Sequence, residues 1–342
     1  MKSNVFKKCV AIVVFALIVT ATGTANLFAQ KKNVTVIKLA SLAPEATPWG
    51  EALNKAAKDW SSASGGNVEL RVYHNGVAGT ETDVLRKLKL NQVQAAVFTS
   101  IGLAEISPES MTLSVPFLVR TDEELNAVFS EIKGDLEANI AKKGFQVIAW
   151  NKAGWVRFFA RNPVRTPSDL KKQKFGAPEG QASLTNTFKG MGYNLIPIAM
   201  NDILMSLNSG SIDAVFGSPI AAAPMQTFGI AKNMSEFKIS PFLGCIVINQ
   251  AGWNSIPSEY RNKISALSAK IGPEIDPKIQ ALEAQAIKTM QNFGLIIVPS
   301  SAQDMALWYA DMDKAMPDLL KNKTYDINLY NKIQTILKRL RK

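Results

Sequence analysis

Three short apolar runs, at residues 34–40, 68–73 and 93–98, are separated by two amphipathic helical patterns, and that alternation limits the fold more tightly than composition does. The first run, with Val34, Val36, Ile37, Leu39 and Ala40, is nearly apolar throughout, as a strand covered on both faces would be. In the second, Val68, Leu70 and Val72 alternate with Glu69, Arg71 and Tyr73. Between them the pattern predicts a helix over 48–62, with Thr47 as its cap and Pro48 at the first helical position. A second helix starts near Thr80. The β-α-β-α-β order predicts parallel strands joined by right-handed crossovers. The carboxyl ends of such strands form the edge that meets ligands, and residues 43–45, 99–102 and 116–118 are expected there.

The alternation continues. A long helix over 121–143 is opened by Thr121-Asp122-Glu123-Glu124 and weakened by Gly134, and a strand follows at 145–150. The chain is expected to cross into a second domain near 151–154. Residues 155–160 then form a strand with Trp155, Arg157 and Phe159 on one face and Val156, Phe158 and Ala160 on the other. Asn162-Pro163 and Thr166-Pro167 stop that strand, Ser168-Asp169-Leu170 opens a short helix, and a strand at 174–177 runs into Pro178-Glu179-Gly180. Helices near 181–191, 202–209 and 219–228 flank a strand at 212–216, and the run at 243–250 returns the chain to the first domain. After Pro257, Gly272-Pro273 and Asp276-Pro277 predict a break or kink near 272–277 in any helix that runs through them. A strand at 295–298 and a helix over 302–320 follow. In the tail, Ile333, Ile336, Leu337 and Leu340 recur at helical spacing before a cationic end, and the stripe predicts docking on the chain itself.

A chain of 342 residues calls for two domains. Lys2, Lys7 and Lys8 precede an apolar run too short to span a bilayer, and small residues lead to Leu27-Phe28-Ala29, so residues 1–29 read as a cleaved secretory signal peptide. Cys9 precedes the apolar run and is misplaced for lipid attachment. Removing that leader takes away three lysines and no acids, lowering the formal charge from +11 to +8. The remaining lysines are scattered along helices, which excludes a nucleic-acid stripe. Cleavage leaves Cys245 as the one cysteine, within an apolar strand, so no internal disulfide forms and the thiol is a packing residue. The single histidine, His74, has no partner at metal-ligand spacing. With no Gly-x-Ser-x-Gly and no phosphate loop, a secreted enzyme is disfavoured; no catalytic residue, metal or cofactor is assigned.

Several stretches together resemble a known family: Ile37-Lys38-Leu39-Ala40 with the Pro44 loop, Val77-Ala78-Gly79-Thr80-Glu81, Val115-Pro116-Phe117-Leu118, Gly154, Pro167-Ser168-Asp169-Leu170, Ser211-Ile212-Asp213 and Trp253. Their order over residues 34–300 resembles the substrate-binding subunits of TRAP (tripartite ATP-independent periplasmic) transporters, the DctP-like family. The resemblance implies an α/β two-domain periplasmic binding protein, a type II-like clamshell in which each domain is a mixed sheet flanked by helices. Domain I would comprise residues 30–150 and about 242–256, and domain II about 151–241. Helices and a strand over about 257–322 would pack across both, with a basic helix at 323–342. The implied role is to bind a small molecule by hinge closure in the periplasm and deliver it to the membrane permease subunits. An additional protein partner, or service to an ATP-driven importer, is the alternative of the same kind.

The family clamps a carboxylate with arginines on two strands of the second domain, because a guanidinium fork engages both oxygens. By the resemblance those positions fall here on Val156 and Gly176, and the family's acid-amide pair on a later strand is replaced by Gly217-Ser218. Arg157 adjoins the first position but alternates to the opposite face. The expected lining is therefore mostly apolar: Trp49, Phe117, Trp155, Val156, Phe158, Gly176 and Phe216. Glu45, Thr99, Ser100, Glu179 and Ser218 are the expected polar contacts.

Overall fold

The computed structural model describes residues 33–178, 182–199 and 202–342. The leader expected at residues 1–29 lies outside them, as does Glu179. The first half forms β1 (Thr35–Ala40), α1 (Pro48–Ala63), β2 (Val68–Tyr73), α2 (Glu81–Lys89), β3 (Ala95–Thr99), the short α3 (Ser100–Ala104), a 3-10 turn at Pro108–Ser114 and α4 (Asp122–Lys142). Local chemistry sets these starts. Thr47 accepts a hydrogen bond from the Gly50 N–H at the head of α1, Thr80 and Asp83 form a reciprocal capping box, and Thr121 accepts from Glu124.

After α4 come β4 (Phe145–Ala160), α5 (Pro167–Lys171), β5 (Phe175–Pro178), α6 (Ala182–Gly190), β6 (Leu195–Ile198), α7 (Ile203–Ser209), β7 (Ala214–Gly217), α8 (Pro219–Met225), β8 (Asn233–Ser235) and β9 (Ser240–Asn249). The strands make one sheet in the order β2-β1-β3-β9-β4-β7-β5-β6, with β8 beside β4. β1 is parallel to β2 and β3, as the opening alternation requires, and β5 is parallel to β6 and β7. Between these parallel sets run β9 and β4, antiparallel to each other and to their outer neighbours β3 and β7. The pattern predicts two strands at 145–150 and 155–160, whereas β4 is one strand of 16 residues. Its continuity rests on a register shift between Lys152 and Trp155, where Gly154 adopts φ +90° and a Cβ would meet Glu283 Oε2 at 2.6 Å. Only glycine fits that turn of the strand.

Alternation along β4 feeds two cores. Val156, Phe158 and Ala160 join the main apolar cluster, while Phe159 packs with Leu207, Met234 and Met290. The remaining elements are α9 (Gln250–Ser255), α10 (Ser258–Ser268), α11 (Ile271–Asn292), β10 (Ile296–Val298), α12 (Ala302–Lys321) and α13 (Ile327–Leu340).

The break expected at 272–277 is corrected. The chain turns at 269–270, and α11 is then continuous for 22 residues with Pro277 inside it. Pro273 sits in the first turn, where its missing N–H forfeits nothing. Gly272 sits so close to β4 that a Cβ would reach the Trp150 carbonyl oxygen at 2.1 Å. Burial of Ile275, Ile279, Ala286 and Met290 offsets the one backbone bond Pro277 cannot make. α11 packs on β4, on α1 and on α8, so it spans both halves of the sheet.

The C-terminal helix docks on its own chain. Leu329, Ile333, Ile336 and Leu337 of α13 are buried in the cluster that holds Val128, Ile132 and Leu136 of α4. Its cations face acids of α4: Lys332 reaches Asp135 at 2.6 Å, Arg339 pairs with Glu131, and Arg341 holds both oxygens of Glu124 at 2.8 Å. Burial works against ionised Glu124, yet the Arg341 fork and the Arg120 N–H hold it below the usual carboxylate range.

Candidate functional site

Where β4, β7 and β5 approach α12 there is a cavity of about 270 Å³. β4 supplies Val156 and Phe158 to it, because the alternation that sends Arg157 to one face sends its neighbours to the other. Phe216 and Gly217 come from the end of β7, and Ser218 follows as the cap of α8, accepting the Ala221 N–H at 3.3 Å. Gly176 on β5 also lines the wall: a Cβ there would come within 2.9 Å of Ile212 Cδ1.

An aromatic group closes one side. Phe158 stacks on Trp308 with ring centroids 5.3 Å apart and meets Phe175 edge-on at 5.5 Å. Phe117 contacts the same indole at 5.5 Å from a left-handed backbone, φ +61°, stabilised by its N–H donating to the Ile239 carbonyl at 2.6 Å. A phenylalanine at positive φ is strained, and here it turns the ring onto the cavity wall. The Trp308 indole N–H donates to the Arg165 carbonyl at 2.8 Å, leaving the ring as an apolar surface.

Among the described residues that line the cavity, Asp311 alone carries a formal charge. The Tyr193 hydroxyl donates to Asp311 Oδ2 at 2.9 Å, Lys171 Nζ lies 2.8 Å from the same oxygen, and Lys314 Nζ is 3.8 Å from Oδ1. Burial, with the Asp311 charge beside it, pushes the Tyr193 phenol far above its ordinary value. Ser100 donates to the Leu243 carbonyl at 2.8 Å. Of the wall's polar groups, Tyr193 and Asp311 thus answer each other, and Ser100 and Ser218 answer backbone groups.

The opposite face of β4 carries the charges. Arg157 Nη1 donates to the Ser235 carbonyl at 3.2 Å and to that of Glu236, while its Nε lies 3.8 Å from Glu283 Oε1 on α11. Burial lowers the Arg157 pKa and raises that of Glu283, each opposed by the other's charge. A groove of about 230 Å³ follows this face, lined by Asp122, Lys152, Lys238, Asp276 and Glu283. Lys152 pairs with Asp276 and Lys238 with Asp122, each at 3.1 Å.

Of the residues singled out from the sequence, the cavity brings together Ser100, Phe117, Val156, Phe158, Gly176, Phe216 and Ser218. Trp155 lines the charged groove instead, its indole donating to Asp122 at 3.1 Å, because it shares the strand face of Arg157. Thr99 caps α3 and its hydroxyl donates to Glu81 at 2.8 Å. Glu45 is exposed and accepts from Asn54, and Trp49 is half-buried in the first turn of α1, neither of them in the cavity wall. Glu179 is outside the described residues. Sequence reasoning missed Trp308, Asp311 and Met312 of α12 and also Tyr325. Their helical spacing marks an apolar face, but nothing in it says which distant strand that face covers.

The fold and this cavity define a two-lobed α/β periplasmic binding protein. A family model described as "Bacterial extracellular solute-binding protein, family 7" (DctP) matches residues 39–323, and the chain belongs to that family, the TRAP-transporter solute-binding subunits. It is a binding protein and not an enzyme. A solute-binding protein of Chromohalobacter salexigens is 25% identical over 225 residues, covering 65% of this chain and 66% of that relative's length. A TRAP periplasmic solute-binding protein of Sulfitobacter, solved with bound β-D-galacturonate, superposes with a TM-score of 0.79 at 18% identity, covering 88% of this chain and 99% of that one. One from Desulfovibrio salexigens, with bound orotic acid, gives 0.79 at 18% identity, covering 90% and 99%. At these identities the structures establish the fold alone.

Proposed function

We propose that this chain, exported to the periplasm, captures a ligand with substantial apolar surface in the 270 Å³ cavity and delivers it to TRAP permease subunits. The observation that carries the reading is the lining: aromatic and aliphatic side chains on every wall, with no arginine, lysine or histidine among the described lining residues. Both solved relatives hold a carboxylate-bearing ligand. A carboxylate in this cavity would be desolvated without a guanidinium to receive it, which is costly. The two positions where the family resemblance puts its arginines are Val156, buried in the wall, and Gly176, where even a Cβ crowds Ile212. Arg157 does not substitute, since Glu283 and two carbonyls engage it on the far face.

Closure would turn on the segments shared by both lobes. Residues 30–150 with about 242–256 form one lobe and about 151–241 the other. β4 and β9 cross between them, about 257–322 pack across both, and 323–342 form the docked tail. Contacts to ligand made only when the lobes meet shift the population toward the closed form, which the permease reads. Calorimetric titration tests the ligand class. Binding of the neutral aromatic hydrocarbon naphthalene, with no heat from D-galacturonate or orotate at the same concentrations, is expected; tight binding of either acid would overturn the reading.

A further inference from the structure

The polar groups of the cavity differ in one respect: whether another group of the protein already satisfies them. Ser100 is bonded to Leu243, Ser218 caps α8, and Tyr193 is bonded to Asp311. The hydroxyls of Tyr325, Ser114 and Ser240 also line the cavity and have no hydrogen-bond partner among the described residues; of the three Tyr325 is the most buried, at 2% exposed. The residues on either side fix its place. Thr324 donates to Ser183 Oγ at 2.6 Å, and the Asp326 N–H donates to Thr112 Oγ1 at 3.0 Å while its carboxylate caps α13. A phenol held this firmly at the cavity wall, its oxygen open to the cavity and bonded to no other described group, is placed to bond a ligand.

We infer that the Tyr325 hydroxyl receives the polar end of the ligand, and that this end is an uncharged hydroxyl or carbonyl on an apolar body. The inference rests on the apolar-cavity reading above. The charge of the head group follows from Asp311. An anion would share the cavity with that carboxylate and find no cation facing it, because Lys171 and Lys314 already answer Asp311. A cationic head gains little, since the same two lysines have neutralised the acid. A hydroxyl or carbonyl needs only the single hydrogen bond that Tyr325 offers.

The test uses the whole chain and three probes: 1-decanol, decanoate and naphthalene. Wild type is expected to bind 1-decanol about tenfold or more tighter than decanoate. Tyr325→Phe keeps the ring and removes the hydroxyl, so it is expected to weaken 1-decanol by about five- to tenfold while leaving naphthalene within about twofold. Decanoate bound as tightly as 1-decanol by wild type, or 1-decanol affinity unmoved by the variant while naphthalene still binds, would overturn the head-group assignment and leave the apolar cavity standing. Failure of both naphthalene and 1-decanol to bind wild type would remove the cavity reading, and the assignment with it. The wild-type comparison of alcohol and acid needs no variant and decides the head-group charge even if Tyr325→Phe folds poorly.

Discussion

The two faces of β4 are one residue apart in sequence and opposite in chemistry. Val156 and Phe158 look into a cavity of about 270 Å³ walled by aromatic and aliphatic groups. Arg157 lies on the other face and pairs with Glu283, which lines a groove of about 230 Å³ together with Asp122, Lys152, Lys238 and Asp276. The difference teaches where this chain keeps its charge: in the seam between the strand that crosses the lobes and the helix that spans them. A charge in that seam is paired across elements that must stay in register, whereas the one charge among the described cavity-lining residues, Asp311, is already answered by Lys171 and Lys314.

Exchanging the two chemistries gives the largest expected effect. Val156→Arg puts an unpaired guanidinium into the apolar wall, and a loss of about 3 kcal/mol or more in urea unfolding, with naphthalene binding abolished, is expected. A variant that folds normally and still binds the hydrocarbon would show that the wall is not as dry as its lining suggests.

Breaking the seam comes next. Arg157 and Glu283 side chains are 12% and 13% exposed, so Arg157→Leu leaves a buried carboxylate and is expected to cost about 2–4 kcal/mol without altering cavity affinity. The cost should depend on pH. The folded-state pKa of Glu283 is raised by burial and held down by Arg157, so losing the arginine raises it further. A raised pKa contributes stability that is complete below the unfolded value and lost as pH rises through the folded one. Arg157→Leu should therefore be mildest in acid and worsen toward neutrality, and adding Glu283→Gln should recover most of the loss in a double-mutant cycle.

A smaller effect is expected at the tail. Arg341→Ala removes the fork on Glu124, and an effect under about 1 kcal/mol is expected for an ion pair this close to the surface. Its sign with pH is the reverse of the seam's. The Glu124 pKa is depressed, so the stability it contributes is present above the ordinary glutamate range and lost as pH falls through the lower folded value. Wild type and Arg341→Ala should converge in acid; a difference that persists there would mean that the arginine acts through packing rather than charge.

Much of the fold was legible because periodicity is local. The parallel opening, the α4 start at Thr121, the face-switching of β4 and the self-docking stripe of α13 all follow from side-chain spacing within a few turns. The helix through Pro277 was not legible, because the packing that outweighs the proline comes from Trp150 and other residues more than a hundred positions away. The cavity was half legible for the same reason. Val156, Phe158, Phe216 and Ser218 stand at strand ends whose direction the pattern gives. Trp308 and Tyr325 reach the same space from the far end of the chain. Trp155 shows the opposite limit: an aromatic beside the cavity strand that alternation, followed strictly, places with Arg157.

The most direct test of an uncharged, apolar ligand is to purify residues 30–342 without denaturation and identify by native mass spectrometry and solvent extraction what leaves with the chain. An apolar molecule bearing a hydroxyl or carbonyl, at one copy per chain and lost from Val156→Arg, is the predicted result. A sugar acid or another small carboxylate at one copy per chain would contradict it and would mean that a cation reaches the cavity by a route other than Arg157.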